Sequence, residues 1–126
     1  MHTQLKQLEF ETLATLEEKF EYAKSMHALA KFEEGLSYFR ILKTEYEAIQ
    51  HYERIIDCLG WICQNLANLG RVEELYNYMP EYKSMCNEHG NELNQLKLNA
   101  YLAFISASIG DESSAVSYYQ EAITIA

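Results

Sequence analysis

The residues able to do chemistry in this chain are few and scattered. Four histidines stand at His2, His27, His51 and His89, and three cysteines at Cys58, Cys63 and Cys86. No HExxH pair occurs, and no Glu-x-x-His pair of the di-iron type. Glu47 and His51 lie four apart, which on one helix would bring them side by side as a ligand pair or, more simply, as an exposed contact. Cys58 and Cys63 are five apart, not the three of a zinc or dithiol motif, and all three thiols suit the role of small buried hydrophobes. The glycines at 35, 60, 70, 90 and 110 are isolated, so no phosphate-cradling loop is present, and no GxSxG element offers a nucleophile. The acidic pairs Glu17-Glu18, Glu33-Glu34 and Glu73-Glu74 recur where helices should begin, where carboxylates complement the helix dipole. The expectation is a protein with no catalytic residues, no metal and no cofactor.

Composition narrows the setting. A chain of 126 residues is one domain or a piece of one. Its 48% hydrophobic content exceeds what a disordered chain carries, and five glycines with one proline leave room for long helices. A net charge of −9 works against binding a nucleic-acid backbone or an anionic membrane surface. No apolar run reaches the roughly 18 residues of a membrane span. The first twenty residues show neither the basic start nor the apolar core of a signal peptide. An odd number of unpaired cysteines fits reduced thiols, and a cytoplasmic location is expected.

The elements that must position any site emerge from an internal period. The stretches "HALAKFEEGLSYFRILK", "ANLGRVEELYNYMPEYK" and "ASIGDESSAVSYYQEAI" align without gaps at a spacing of forty residues. Their turn residues are Ala30, Gly70 and Gly110. Five positions on stand Gly35, Leu75 and Ala115, nine on Phe39, Met79 and Tyr119, and twelve on Leu42, Tyr82 and Ala122. The register also holds upstream, with Tyr22, Ile62 and Leu102, then Ala23, Cys63 and Ala103. Each copy reads as a helical hairpin. Glycine closes a helix in the left-handed conformation, Asp111 is a good N-cap, Thr15 to Glu18 is a capping-box pattern, and His89-Gly90-Asn91 stops one helix and starts another. Helices are predicted near 16–29, 32–48, 53–69, 72–88, 92–109 and 112–125. The break at 45–53 lacks a Gly or Pro, and Pro80 should kink the fourth helix or end its first half. Leu5, Leu8 and Leu13 suggest an extra helix or cap over residues 1–15, ahead of repeats near 16–55, 56–95 and 96–126.

These copies resemble the tetratricopeptide repeat. The third carries the pattern best, with Leu102, Ala103, Gly110, Ala115, Tyr119 and Ala122. The second departs from it at Leu75 and Tyr82, and the first at Ala30 and Leu42. Large residues at such positions should push paired helices apart or change their angle. The usual repeat is about 34 residues, and the longer unit here looks like that of the peptide-receptor regulators of Gram-positive bacteria (the Rap, NprR and PlcR group). The resemblance implies an all-α fold, an α-α superhelix of three hairpins forming a right-handed solenoid, with a peptide or protein segment as partner.

In that register the first helices line the inner face. The first unit offers Glu17, Phe20, Lys24 and His27, the second Asp57, Trp61, Gln64 and Asn68, and the third Lys97, Tyr101, Phe104 and Ser108. The candidate partner-binding residues are Lys24, His27, Trp61, Gln64, Asn68, Lys97 and Tyr101. Amides both donate and accept, so they can hold a peptide backbone. Aromatics supply anchoring area, and the two lysines can meet a carboxylate. Trp61, Tyr101 and Phe104 are equally readable as core shared between hairpins, and Gln64 and Asn68 as solvated helix positions. Ile105, Ile109, Val116, Ile123 and Ile125 predict apolar surface at the end of the array, which a partner or a second copy would cover as a homodimer through the C-terminal helices. Three readings therefore stand: a peptide-binding scaffold, a sensor fragment of a peptide-responsive regulator or phosphatase-type signalling protein, and a structural oligomerising module.

Overall fold

The computed structural model describes Phe10 and residues 15–125, and the expected extra helix over 1–15 lies outside the described residues apart from Phe10 and Thr15. Every regular element among them is an α-helix. These are α1 (Leu16–Ala28), α2 (Phe32–Ala48), α3 (Tyr52–Asn68), α4 (Val72–His89), α5 (Glu92–Ser108) and α6 (Glu112–Ile125). No helix among the described residues is long and apolar enough to cross a membrane.

Four of the five turns are built alike. Ala30, Gln50, Gly70 and Gly110 all take positive φ, at 59°, 56°, 72° and 84°. Beyond each of them the next N–H reaches back to the helix, Lys31 to Met26, His51 to Tyr46, Arg71 to Leu66 and Asp111 to Ser106, at 2.8–3.0 Å. This is the Schellman closure, which satisfies carbonyls that the helix end leaves bare. The structural period is therefore twenty residues, half the sequence repeat. Gln50 carries the turn that the sequence marks least, because no glycine stands there. Glu47 and His51 consequently lie on different sides of a turn and form no ligand pair. Glu47 accepts from Lys43 at 3.1 Å, and His51 caps α3 by accepting the N–H of Arg54 at 3.4 Å.

The fourth turn differs. Gly90 is extended (φ −87°) and passes so close to α4 that an added Cβ would lie 2.6 Å from the Cys86 carbonyl oxygen. Asn91 and Asn94 then cap α5 reciprocally, each side chain taking the other's backbone N–H at 2.9 Å. The other caps follow their residue types. Thr15 and Asp111 accept backbone N–H groups with their side chains, and Lys31 and Arg71 do not. Pro80 neither ends nor divides α4, which runs unbroken from Val72 to His89 with Met79 and Tyr82 buried on either side of it.

Consecutive helices lie side by side, and α3 also meets α5, while the contact between α4 and α5 is slight. Leu36, Phe39, Leu42, Ile55, Leu59, Ile62, Leu66, Leu75 and Leu102 are all but fully buried. Burying such a side chain contributes roughly 1.5–3 kcal/mol. Tyr82 fits because Gly60 faces it without a side chain; a Cβ there would sit 3.0 Å from the Tyr82 hydroxyl. The three thiols are buried, and burial pushes Cys58 and Cys63 up to about 12 and Cys86 to about 11. At the far end, Ile105 belongs to the core rather than the surface, and Val116, Tyr119 and Ile123 are exposed. Phe104 is also exposed, at 56%, and so is not shared core.

A left-handed residue costs more with a Cβ than without one, by about 1 kcal/mol, partly offset by the entropy of a glycine in the unfolded chain. In urea melts, Gln50→Gly is expected to stabilise by about 0.5 kcal/mol, and Gly70→Ala to destabilise by about 1 kcal/mol. The same sign for both would refute the turn assignment.

Candidate functional site

The inner-face residues of α1, α3 and α5 come together around one cleft of about 180 Å³. α1 contributes Phe20 and Lys24, and α5 contributes Asn94, Lys97 and Tyr101. α3 supplies Arg54, Ile56, Asp57, Gly60 and Trp61, and Tyr82 reaches in from α4. Four of the seven candidates thus meet here: Lys24, Trp61, Lys97 and Tyr101. Trp61 is half-buried and stacks on Phe39, with ring centroids 5.5 Å apart and planes at 4°. One face of the indole is therefore spent on the core.

The other three candidates lie outside the cleft. His27 Nδ1 sits 3.3 Å from Asn65 Oδ1, and its ring meets Trp61 and Phe32 edge-on at 4.8 and 5.2 Å. Asn65 is completely buried and donates to the Trp61 carbonyl at 2.8 Å. It has room because Gly35 of α2 faces it. The His27–Asn65 pair thus joins α1 to α3 and backs the indole. Gln64 is half-buried. Asn68 is exposed, and its amide donates to the Gln64 carbonyl of its own helix at 3.0 Å.

Charge in the cleft is organised by Arg54. Its Nε and Nη2 grip both oxygens of Glu17 at 2.9 and 2.6 Å, and Nη1 reaches Asp57 at 2.9 Å. The guanidinium lies 4.4 Å from the centre of the Phe20 ring, and the Tyr46 hydroxyl donates to Glu17 at 3.1 Å. Bidentate geometry of this kind is the strong form of the arginine–carboxylate pair. Lys24 pairs with Glu21 at 3.1 Å, whereas Lys97 takes part in no ion pair among the described residues. An acidic chain therefore presents a cleft with three cations and one carboxylate in its wall.

Arg54, Tyr82 and Asn94 are cleft residues that the inner-face register omits. Arg54 is signalled by Asp57 three residues on, a helix-surface charge pair, and Tyr82 by Gly60 in mid-helix on the facing element. Asn94 belongs to the capping box of α5. Among the described residues no three His, Cys, Asp or Glu side chains converge as metal ligands would. No family model matches the chain, and no curated protein and no solved structure matches it.

The two carboxylates of Arg54 titrate in opposite senses. The Arg54 hydrogen bonds hold Glu17 below its ordinary value, so its contribution to stability is present above the ordinary range and is lost as pH falls. Burial holds Asp57 above its ordinary value despite Arg54, so its contribution is present when protonated and is lost as pH rises. Asp57→Asn is therefore expected to lose more stability than the wild type between neutral pH and about pH 3.5, and Glu17→Gln less. Chemical melts at both pH values check this, and parallel losses in all three chains would refute it.

Proposed function

We propose that the chain is a non-enzymatic scaffold that receives a peptide or protein segment on its inner face, with the cleft taking one acidic side chain of the partner. The observation that carries this reading is Lys97, an ammonium beside Trp61 and Tyr101 that takes part in no ion pair among the described residues. The volume supports a side chain over a cofactor, since small-molecule pockets begin near roughly 300 Å³. The aromatic walls are of the type that dominates binding hot spots. The forty-residue register, the closed turns and the convergence of α1, α3 and α5 support a tetratricopeptide-like superhelix. A peptide-responsive regulator of the receptor group is the narrower form of the same reading. Raised, buried thiols speak against nucleophilic chemistry. Reduced thiols support a cytoplasmic location.

Peptides selected on the wild-type chain from a random library are expected to carry Asp or Glu beside an apolar residue. They are expected to bind Lys97→Met and Tyr101→Ala about 10–100-fold more weakly in calorimetry. Equal affinity for both variants would overturn the assignment. A second reading, a homodimer through the C-terminal helices, is favoured by the exposed Val116, Tyr119 and Ile123 on α6. In sedimentation equilibrium the wild type would then dimerise and Ile123→Lys would not, and a monomeric wild type at tens of micromolar would exclude it.

A further inference from the structure

Ion pairs close the gap between α2 and α4. Arg40 meets Glu74 at 2.7 Å, and Lys43 meets Glu81 at 2.7 Å. No ion pair joins α4 to α6 among the described residues. An open groove lies between them instead, floored by the buried Leu98, Leu102 and Ser106 of α5. It consists of two adjoining hollows of about 320 and 310 Å³ that share Lys83 and Tyr118. The inner cleft uses another face of α5, that of Lys97 and Tyr101.

We propose that this groove docks a segment of a partner protein through one basic side chain, arginine or lysine. Two carboxylates, Asp111 and Glu121, line the groove against one ammonium, that of Lys83. Ser106 is 2% exposed, and its hydroxyl makes no hydrogen bond among the described residues although it lines the hollow. The hydroxyl oxygen is not among the sealed, unsatisfied side-chain atoms, so it opens to the hollow, where an incoming donor can reach it. Pro80 has no N–H, so it cannot serve the Tyr76 carbonyl one turn before it, and both residues line the same hollow. Asp111 and Glu121, one in each hollow, take part in no ion pair among the described residues, and α6 contains no basic residue. The complement of such a surface is a cation with several donors, which describes a guanidinium best and an ammonium next.

The groove also holds a cation of its own. Lys83 lies with its ammonium 5.0 Å from the centre of the Tyr118 ring. That contact marks where a positive charge is accommodated, and two carboxylates outnumber it. Tyr76, Met79 and Pro80 form an apolar wall for the methylene stem of a long basic side chain.

The test is an amide-shift NMR titration of the full chain with two probes, acetyl-Leu-Arg-Leu-amide and the same tripeptide with Glu in place of Arg. The arginine probe is expected to give saturable shifts in the millimolar range at Lys83, Ser106, Asp111 and Tyr118. The glutamate probe and the double variant Asp111→Asn/Glu121→Gln are expected to bind about tenfold more weakly. Asn is itself a good N-cap, so the variant keeps the start of α6. Lys83→Met, which removes the internal competitor, is expected to tighten arginine-probe binding about threefold. Equal binding of the two probes, no effect of the double variant, shifts confined to Lys97 and Tyr101, or no saturable shift would each overturn the proposal. The acidic-peptide selection at the inner cleft stands or falls separately.

Discussion

The left-handed turn residue is the constraint on which the rest depends. At four of the five turns this closure fixes where one helix ends and the angle at which the next leaves. Two such steps return the chain to the same face. Glu17, Asp57 and Lys97 therefore occupy equivalent positions, forty residues apart, and Arg54 lies among them. Its grip on Glu17 and Asp57 ties α1 to α3 along the line that continues to Lys97. The cleft is thus a product of periodicity, with its electrostatics concentrated where three register-equivalent side chains approach one another.

Much of this was legible in the sequence, for identifiable reasons. Helix ends marked by Gly70, Gly110, Asp111 and Asn91 fall within a residue of where the residue types place them. The forty-residue register is enough to bring Lys24, Trp61, Lys97 and Tyr101 to one cleft. What escaped depends on neighbours in space. Gln50 adopts a conformation its own type does not favour, and only the turn around it requires this. Pro80 is tolerated because buried residues on both sides hold α4 through the missing hydrogen bond. His27 reads as a free ring on the inner face, yet the buried Asn65 claims it, and a buried amide is not visible as a partner until the helices are assembled.

Two glycines explain how two large side chains fit between closely packed helices. Gly60 accepts Tyr82, and Gly35 accepts Asn65. In both cases the missing side chain is on one helix and the large one on its neighbour, so the volume of the contact is kept while its owner changes. Tyr82 thereby reaches the floor of the cleft from a helix that would otherwise have no part in it, and Asn65 reaches His27.

The fourth turn gives the molecule an uneven mechanical character. Where helices touch mainly their neighbours in sequence, the weakest interface sets where cooperativity breaks. Extended Gly90 and the slight contact of α4 with α5 place that interface between residues 89 and 92. The chain then behaves as a four-helix block and a two-helix block coupled mainly through α3 and α5. Both the inner cleft and the α4–α6 groove straddle this seam, so whatever binds at either place also staples the two blocks together.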